Sequence, residues 1–135
     1  MLHNTTILQG EVSLPGDKSI AHRAILLASL INDRTKIGNL SDSEDIAATI
    51  NVLSQCGIKS NITSNEIEIF GRTFIEPSNI LDCHGSGTTA RLISGLLTGL
   101  NINFNLNGNI TLQKRPMGRL LDYMSSVGAN FDYNN

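Results

Sequence analysis

The chain has 135 residues, a formal net charge of −2, 40% hydrophobic residues and 16% charged residues. This composition fits one folded domain or two small lobes and excludes an intrinsically disordered chain. Trp is absent and the charge is near neutral, which argues against nucleic acid as the main partner. No apolar run approaches the roughly 20 residues that span a bilayer, so we expect no membrane partner.

The cysteine content and the first residues predict a cytoplasmic protein. Cys56 and Cys83 are too few for a disulfide framework and lack metal-ligand spacing, so we expect reduced, partly buried thiols and no metal site. The first four residues show no basic segment leading into an apolar one, and they therefore predict no secretory signal.

The first half of the chain predicts two strand–helix pairs followed by a hairpin. Residues 7–14 alternate apolar and polar side chains as a strand does, and a Pro-Gly pair follows. A helical apolar face comes next, with Asp17 or Ser19 as its N-cap residue and an end near Asn32. The further elements are a strand over 35–38, a helix capped by Ser41 or Asp42 and closed by Gly57, and a hairpin of strands 58–62 and 66–70.

The second half repeats this order. A Gly-rich turn over 84–89 follows a strand over 80–83 and opens a helix that contains Arg91. Pro116 takes the first position of the last helix, and Gly128 ends that helix. The remaining expectations are a strand over 102–106, a strand beginning at 129–133, and a packing face on the last helix made of Leu120, Leu121, Met124 and Val127.

An internal duplication with a period of roughly 70 residues accounts for this repetition. It predicts an α/β (α+β) fold of two β-α-β-α-β-β units, with the first over 1–76 and the second over 77–135. The second unit is short of its last strand, which would leave a sheet edge open. We therefore expect the chain to be part of a longer protein.

The turn before the first long helix predicts an anion site. Lys18 and Arg23 lie about a turn and a half apart at the positive end of the helix dipole, beside the Ser19 hydroxyl and free backbone N–H groups. A Walker A loop is excluded, because Asp17 and Val12 stand where that motif needs glycine. The alternative is a pair of solvated basic side chains, and it stays open on these residues alone.

Two further turns have the same character. The Gly-rich loop over 85–88 can bring backbone N–H groups close to an anion, and Arg91 follows it in the helix. Arg115 stands just before a helix start, where its planar fork could hold a carboxylate or phosphate with two hydrogen bonds. An ordinary turn and an exposed arginine are the alternatives. Neighbouring anion sites would predict two anionic small-molecule substrates.

Six short motifs recur in the order of a known family and cover nearly the whole chain. They are PGDKSI at 15–20, HRA at 22–24, NLSDSED at 39–45, DC at 82–83, SGTTARL at 86–92 and RPM at 115–117. Together they resemble the N-terminal part of the 5-enolpyruvylshikimate-3-phosphate (EPSP) synthase, or 3-phosphoshikimate 1-carboxyvinyltransferase, family. The resemblance implies a fold of two domains, each built from three β-α-β-α-β-β units, with the substrates held between them.

The resemblance also implies a reaction and a set of substrate-binding residues. Members transfer the enolpyruvyl group of phosphoenolpyruvate to the 5-hydroxyl of shikimate 3-phosphate and release phosphate, on the route to chorismate and aromatic amino acids, without a cofactor. The implied residues are Lys18, Ser19 and Arg23 for shikimate 3-phosphate, and Lys18, Gly87 and Arg115 for phosphoenolpyruvate. The internal repeat adds Arg91, which stands in its helix where Arg23 stands in the first one. No catalytic acid or base is assigned in this chain, which is expected to be monomeric.

The chain departs from the family pattern at one loop. His84-Gly85 stands where members usually have Gly-Asn, so the amide that helps to hold phosphoenolpyruvate is replaced. Weaker binding is one expectation, and His84 acting as a substitute donor is the other. Two alternative functions stay open: a non-catalytic anion-binding remnant, and the sister enzyme acting on UDP-N-acetylglucosamine. Members of the sister group carry Asn after the motif lysine, where this chain has Ser19.

Overall fold

Five helices and five strands form within residues 9–132, which are the residues that the computed structural model describes. The helices are α1 (Lys18–Leu30), α2 (Glu44–Gln55), α3 (Gly87–Gly99), α4 (Ile110–Gln113) and α5 (Gly118–Ser126). The strands are β1 (Arg34–Gly38), β2 (Lys59–Ile62), β3 (Glu66–Phe70), β4 (Leu81–Asp82) and β5 (Leu106–Asn107).

The first three strands form an antiparallel sheet with β3 in the centre, in the order β1-β3-β2. The predicted hairpin of β2 and β3 is confirmed. Ile67 and Ile69 alternate with polar residues along β3 and are buried against the helices. Ile37 of β1 lies directly opposite Ile67, so the inner face of the sheet is continuous across these two strands.

The other two strands are short and parallel. Leu81 of β4 pairs with Leu106 of β5, and Asp82 pairs with Asn107. Residues 102–106 alternate in burial as predicted, but the ladder begins only at Leu106. The prediction of a strand over 102–106 is thus correct in pattern and wrong in extent, because a strand also needs a partner to bond.

The core lies between the long helices and the two sheets. Helix α2 packs against both α1 and α3, and α1 also packs on β1 and β3. The largest fully buried apolar side chains are Ile25, Ile46, Val52, Leu53, Ile67, Ile69, Leu81, Ile93 and Leu97. Cys56 and Cys83 are both free thiols and both fully buried in this core.

Glycines end two helices as predicted. Gly57 has φ +91° after α2 and Gly128 has φ +102° after α5, a conformation that glycine adopts without strain. The predicted cap of α2 is wrong: Ser43, not Ser41 or Asp42, is the N-cap residue. Ser43 directly precedes the first helical residue, so its Oγ can accept a hydrogen bond from Asp45 N at 3.3 Å.

The predicted strand over 7–14 is not observed. Residues 7 and 8 lie outside the described residues, and 9–14 form no strand. Val12 and Leu14 are 83% and 73% exposed, so this segment has alternation without a partner strand or a surface to cover.

Helix α5 also begins and packs differently from the prediction. Met117 is its N-cap residue, so Pro116 lies before the helix rather than in its first turn. Met124 is buried, but Val127 follows the last helical residue and is exposed. Residues 129–132 form no strand, and the rest of the strand predicted from 129 lies outside the described residues.

The mixed helix and strand architecture confirms the predicted fold class. From α1 to β3 the elements follow the predicted order, and β4, α3, β5 and α5 repeat most of it, with the short α4 inserted. The unit limits of 1–76 and 77–135 stay a prediction. Within residues 9–132, no helix is both long and apolar enough to cross a membrane.

Candidate functional site

The first turn of α1 is fixed by a cap and by a close approach of two loops. Asp17 is the N-cap residue, as predicted, and its Oδ1 accepts a hydrogen bond from Ile20 N at 2.8 Å. A side chain at Gly16 would collide with the carbonyl oxygen of Asn39, which itself has φ +53°. The segment before α1 is thereby held against the segment before α2, in a position that only glycine allows.

Basic groups surround this turn. Lys18 Nζ lies 2.6 Å from Asp45 Oδ2, and the two side chains are 50% and 29% exposed. Arg23 Nη1 donates to the carbonyl oxygen of Ser19 at 3.0 Å, so its guanidinium folds back towards the start of the helix. The three predicted residues Lys18, Ser19 and Arg23 therefore lie together, but Lys18 is engaged by a carboxylate that the sequence analysis did not place there.

A compact loop delivers the first turn of α3. His84 has φ +49°, and its carbonyl oxygen accepts a hydrogen bond from Asn109 N at 2.7 Å. Ser86 N donates to the carbonyl oxygen of Cys83 at 2.9 Å, which turns the chain from β4 into the helix. Ser86 is the N-cap residue, and its Oγ accepts a hydrogen bond from Thr89 N at 3.2 Å.

Two arginines converge on Gly87, the first residue of α3. A methyl group added to Gly87 would lie 2.8 Å from Arg115 Nη1 and 3.1 Å from Arg91 Nη1. Arg91 Nη2 also donates to the carbonyl oxygen of Pro116 at 3.3 Å, which ties α3 to the segment that carries Arg115. The predicted residues Gly87, Arg91 and Arg115 thus come together, although Arg115 is distant from the other two in sequence.

This cluster is suited to an oxyanion. Two guanidinium groups present forked N–H donors, and the helix start adds its positive dipole end. Gly87 is buried, and its lack of a side chain lets the two guanidinium groups approach the backbone at the helix start. The arrangement favours a carboxylate or phosphate over a neutral ligand.

The substituted loop residues face other partners. His84 N donates to Asp82 Oδ1 at 2.7 Å, and its Nδ1 lies 3.6 Å from Asp82 Oδ2. A Cβ atom on Gly85 would lie 3.1 Å from Asn109 Nδ2, while Asn109 Oδ1 caps α4. The amide of Asn109 therefore lies beside Gly85, at the loop position where the resemblance predicts an amide side chain that this chain lacks.

A buried chain of polar side chains connects the three long helices. His22 Nδ1 lies 2.7 Å from Thr49 Oγ1, which lies 2.7 Å from Thr89 Oγ1, which lies 2.7 Å from Ser86 Oγ. In an alternative arrangement of their protons, the hydroxyls of Thr49 and Thr89 each donate to the carbonyl oxygen of Asp45 at 3.3 Å. All four side chains are at most 1% exposed.

His22 is neutral in this setting. Burial lowers its pKa from the usual value of 6.5; Asp45 opposes this change, and Lys18 and Arg23 add to it. Its Nε2 has no hydrogen-bond partner among the described residues. The sequence analysis missed this series of contacts, because it joins residues 27 and 40 positions apart.

A groove runs between α1 and α3 beside both basic clusters. It encloses about 440 Å³, and Arg23 and Arg91 lie in its lining together with apolar residues of both helices. Among residues 9–132, no group of three or more His, Cys, Asp or Glu side chains could hold a metal ion.

Comparisons with known proteins all point to one family. The sequence model of "EPSP synthase (3-phosphoshikimate 1-carboxyvinyltransferase)" matches residues 2–135. The 3-phosphoshikimate 1-carboxyvinyltransferase of Petrotoga mobilis is 41% identical over 131 residues, which are 94% of this chain and 30% of that protein. The enzyme of the same name from Coxiella burnetii (strain CbuG_Q212) is 41% identical over 130 residues, again with 30% of its length covered.

Solved structures show the same similarity. EPSP synthase from Acinetobacter baumannii superposes with a TM-score of 0.88 at 28% sequence identity, over 93% of this chain and 29% of that one. A second structure of EPSP synthase from that organism gives a TM-score of 0.81 at 29% identity. The chain therefore spans less than a third of the length of these relatives.

Proposed function

This chain belongs to the EPSP synthase (3-phosphoshikimate 1-carboxyvinyltransferase) family, and on that premise we propose that it supplies part of a site for two anionic substrates. The reaction is transfer of the enolpyruvyl group of phosphoenolpyruvate to the 5-hydroxyl of shikimate 3-phosphate, with release of phosphate. The observation that carries the proposal is the convergence of Arg91 and Arg115 on Gly87 at the start of α3.

The two basic clusters divide the substrates between them. Lys18, Ser19 and Arg23, at the exposed start of α1, bind the phosphate of shikimate 3-phosphate. The cluster of Gly87, Arg91 and Arg115 binds phosphoenolpyruvate, with Lys18 reaching it as well. Since Arg23 and Arg91 line one groove, the two anions occupy neighbouring positions.

Binding at Lys18 requires an exchange of partners. Asp45 holds the ammonium group at 2.6 Å, so a substrate phosphate must compete with this carboxylate. The pair is half-exposed, and such pairs contribute only about 0–1 kcal/mol. A dianionic phosphate flanked by Arg23 is therefore expected to displace Asp45.

Chemistry is a separate matter from binding. Proton transfer needs an acid and a base within reach of the reacting atoms. Among residues 9–132, Asp17 and Asp45 are carboxylates beside the first cluster, but Asp17 caps α1 and Asp45 is engaged by Lys18, while His22 is buried. We propose that the chain by itself binds anions without turning them over, as a cytoplasmic monomer that needs no cofactor.

Replacement of Gly87 tests the phosphoenolpyruvate site. In Gly87→Ala the new methyl group would displace the Arg115 guanidinium, which is the end of a flexible side chain, so the fold should survive. We expect affinity for phosphoenolpyruvate to fall by about tenfold, as for loss of one charge-assisted hydrogen bond. The measurement is an amide NMR titration of the isolated chain with each substrate.

Gly99→Ala is the matched control, because Gly99 lies at the end of the same helix and, within the described residues, nothing lies within 4 Å of a Cβ atom there. It should bind as the unmodified chain does. Equal affinity of Gly87→Ala and Gly99→Ala for phosphoenolpyruvate would refute the assignment of this cluster.

A turnover assay separates a binding chain from a complete catalyst. No phosphate release is expected when the chain is mixed with both substrates. Release that depends on the protein, is lost in Lys18→Ala and persists in Lys59→Ala, a replacement on β2, would show that the chain is catalytic by itself.

A further inference from the structure

We propose that Thr49 is a positioning residue. Its buried hydroxyl fixes the first turn of α3 relative to the first turn of α1, and it thereby sets the affinity of the Gly87 cluster for an anion. The inference rests on the proposed function in one respect only, namely that the Gly87 cluster binds an anion. Thr49 is fully buried, so no ligand can touch it.

Thr49 is the central link between three helices. From α2 its Oγ1 reaches His22 Nδ1 on α1 and Thr89 Oγ1 on α3, both at 2.7 Å. Thr89 continues the chain to Ser86, the N-cap residue that directly precedes Gly87. A displacement of either helix start therefore breaks a hydrogen bond between buried side chains, and such a loss is costly because it leaves a buried polar group unpaired.

The second contact of Thr49 leads to the other basic cluster. The carbonyl oxygen of Asp45 lies 3.3 Å from the hydroxyls of both Thr49 and Thr89. The carboxylate of the same residue holds Lys18. The backbone of Asp45 thus lies against the two hydroxyls, while its side chain holds the exposed ammonium group of Lys18.

The number of available protons indicates which ring nitrogen of His22 is protonated. Each hydroxyl carries one proton, and Thr49 and Thr89 can each donate to a neighbouring side chain or to the carbonyl oxygen of Asp45. If His22 Nδ1 carries the ring proton and donates to Thr49, Nε2 is an acceptor without a partner among the described residues. If Nδ1 instead accepts from Thr49, Nε2 is a buried N–H donor without one, which is rarer in folded proteins. We therefore assign the Nδ1–H tautomer to His22.

The test is a pair of variants that differ in one hydroxyl. Thr49→Val keeps the volume and removes the hydroxyl, while Thr49→Ser keeps the hydroxyl. We expect the dissociation constant for phosphoenolpyruvate to rise by about tenfold in Thr49→Val, a typical coupling effect, and to stay within about twofold in Thr49→Ser. Unchanged affinity in folded Thr49→Val would overturn the inference and leave Thr49 with a role in stability alone.

A variant-free measurement covers the case in which Thr49→Val fails to fold. Long-range ¹H–¹⁵N spectra of the unmodified chain distinguish the two ring tautomers of histidine. A single Nδ1–H form of His22 is expected, and the Nε2–H form or a fast-exchanging mixture would contradict the chain of donors.

If the unmodified chain binds neither phosphoenolpyruvate nor inorganic phosphate, the proposed function fails but the inference can still be decided. The amide resonances of Gly87 and Thr88 should then move in Thr49→Val and return in Thr49→Ser. Resonances that stay in place in Thr49→Val would overturn the inference on their own.

Discussion

The starts of α1 and α3 carry the two basic clusters, and they lie in contrasting surroundings. At α1, Asp17 and Lys18 are exposed, and the turn is held by a cap and a surface ion pair. At α3, Ser86 and Gly87 are buried, and the turn is held by hydroxyl contacts from α2. A side-chain cap and an exposed ion pair hold the first turn of α1, whereas buried hydroxyl contacts hold the first turn of α3.

The difference teaches which of the two starts can adjust to a ligand. A surface ion pair is screened by water and salt, so Lys18 can exchange Asp45 for a substrate phosphate at little cost. A buried network is rigid when satisfied and costly when broken. We therefore expect the start of α3 to keep its conformation when a ligand binds, and the side chains at the start of α1 to rearrange.

Removal of the two caps should produce the largest contrast. In Ser86→Ala both the Thr89 amide and the Thr89 hydroxyl lose a buried partner, so we expect a loss of about 2 kcal/mol in the free energy of unfolding. In Asp17→Ala water can replace the lost oxygen, and a loss of about 0.5 kcal/mol is expected. Urea unfolding followed by circular dichroism measures both, and equal losses would remove the contrast.

The second-largest effect is expected from a decrease in pH, which should destabilise the buried network around His22. Burial lowers the pKa of His22, so below pH 6.5 the unfolded chain takes up a proton that the folded chain does not. The free energy of unfolding should therefore fall as the pH drops from 6.5 towards the folded pKa, by at most about 1.4 kcal/mol per pH unit. Urea unfolding between pH 7.5 and 5.5 measures this slope. His84→Gln, at an exposed histidine, should keep it, whereas His22→Gln should abolish it; a slope that survives in His22→Gln belongs to another group.

The smallest effect is expected from Asp45→Asn. The pair with Lys18 is half-exposed, so stability should change by less than about 1 kcal/mol. The freed ammonium group should bind shikimate 3-phosphate about threefold more tightly, which is the same energy expressed as affinity. Glu68→Gln is the control, since Glu68 pairs with Arg34 and Lys36 on the sheet. Weaker binding in Asp45→Asn would show that Asp45 supports the site rather than competing for it.

The sequence predicted the features that depend on neighbouring residues alone, such as helix ends and tight turns. Gly57 and Asp17 lie where the rules for helix ends place them, and the hairpin of β2 and β3 follows from its alternation. The same alternation misled at 9–14 and 102–105, because a strand depends on a partner that the segment itself does not specify. Helix α4 was missed since four residues give no helical period.

The candidate site shows the same division. The short motifs singled out each residue of the two basic clusters, because helix starts, glycines and arginines are recognisable one at a time. The pairing of Lys18 with Asp45 and the chain through Thr49 join residues that are distant in sequence, so only the packing of α1, α2 and α3 reveals them. The spacing of Ser86 and Thr89 as cap and third residue was the one local signal of that chain.

The two buried thiols provide one chemical probe of local opening in each half of the molecule. Burial raises the pKa of Cys56 to about 11, and burial together with Asp82 raises that of Cys83 to about 12. Alkylating reagents attack the thiolate, so neither sulfur reacts while its surroundings stay closed. Cys56 follows α2 and Cys83 precedes the loop into α3, and their separate alkylation rates therefore time the opening of the two halves.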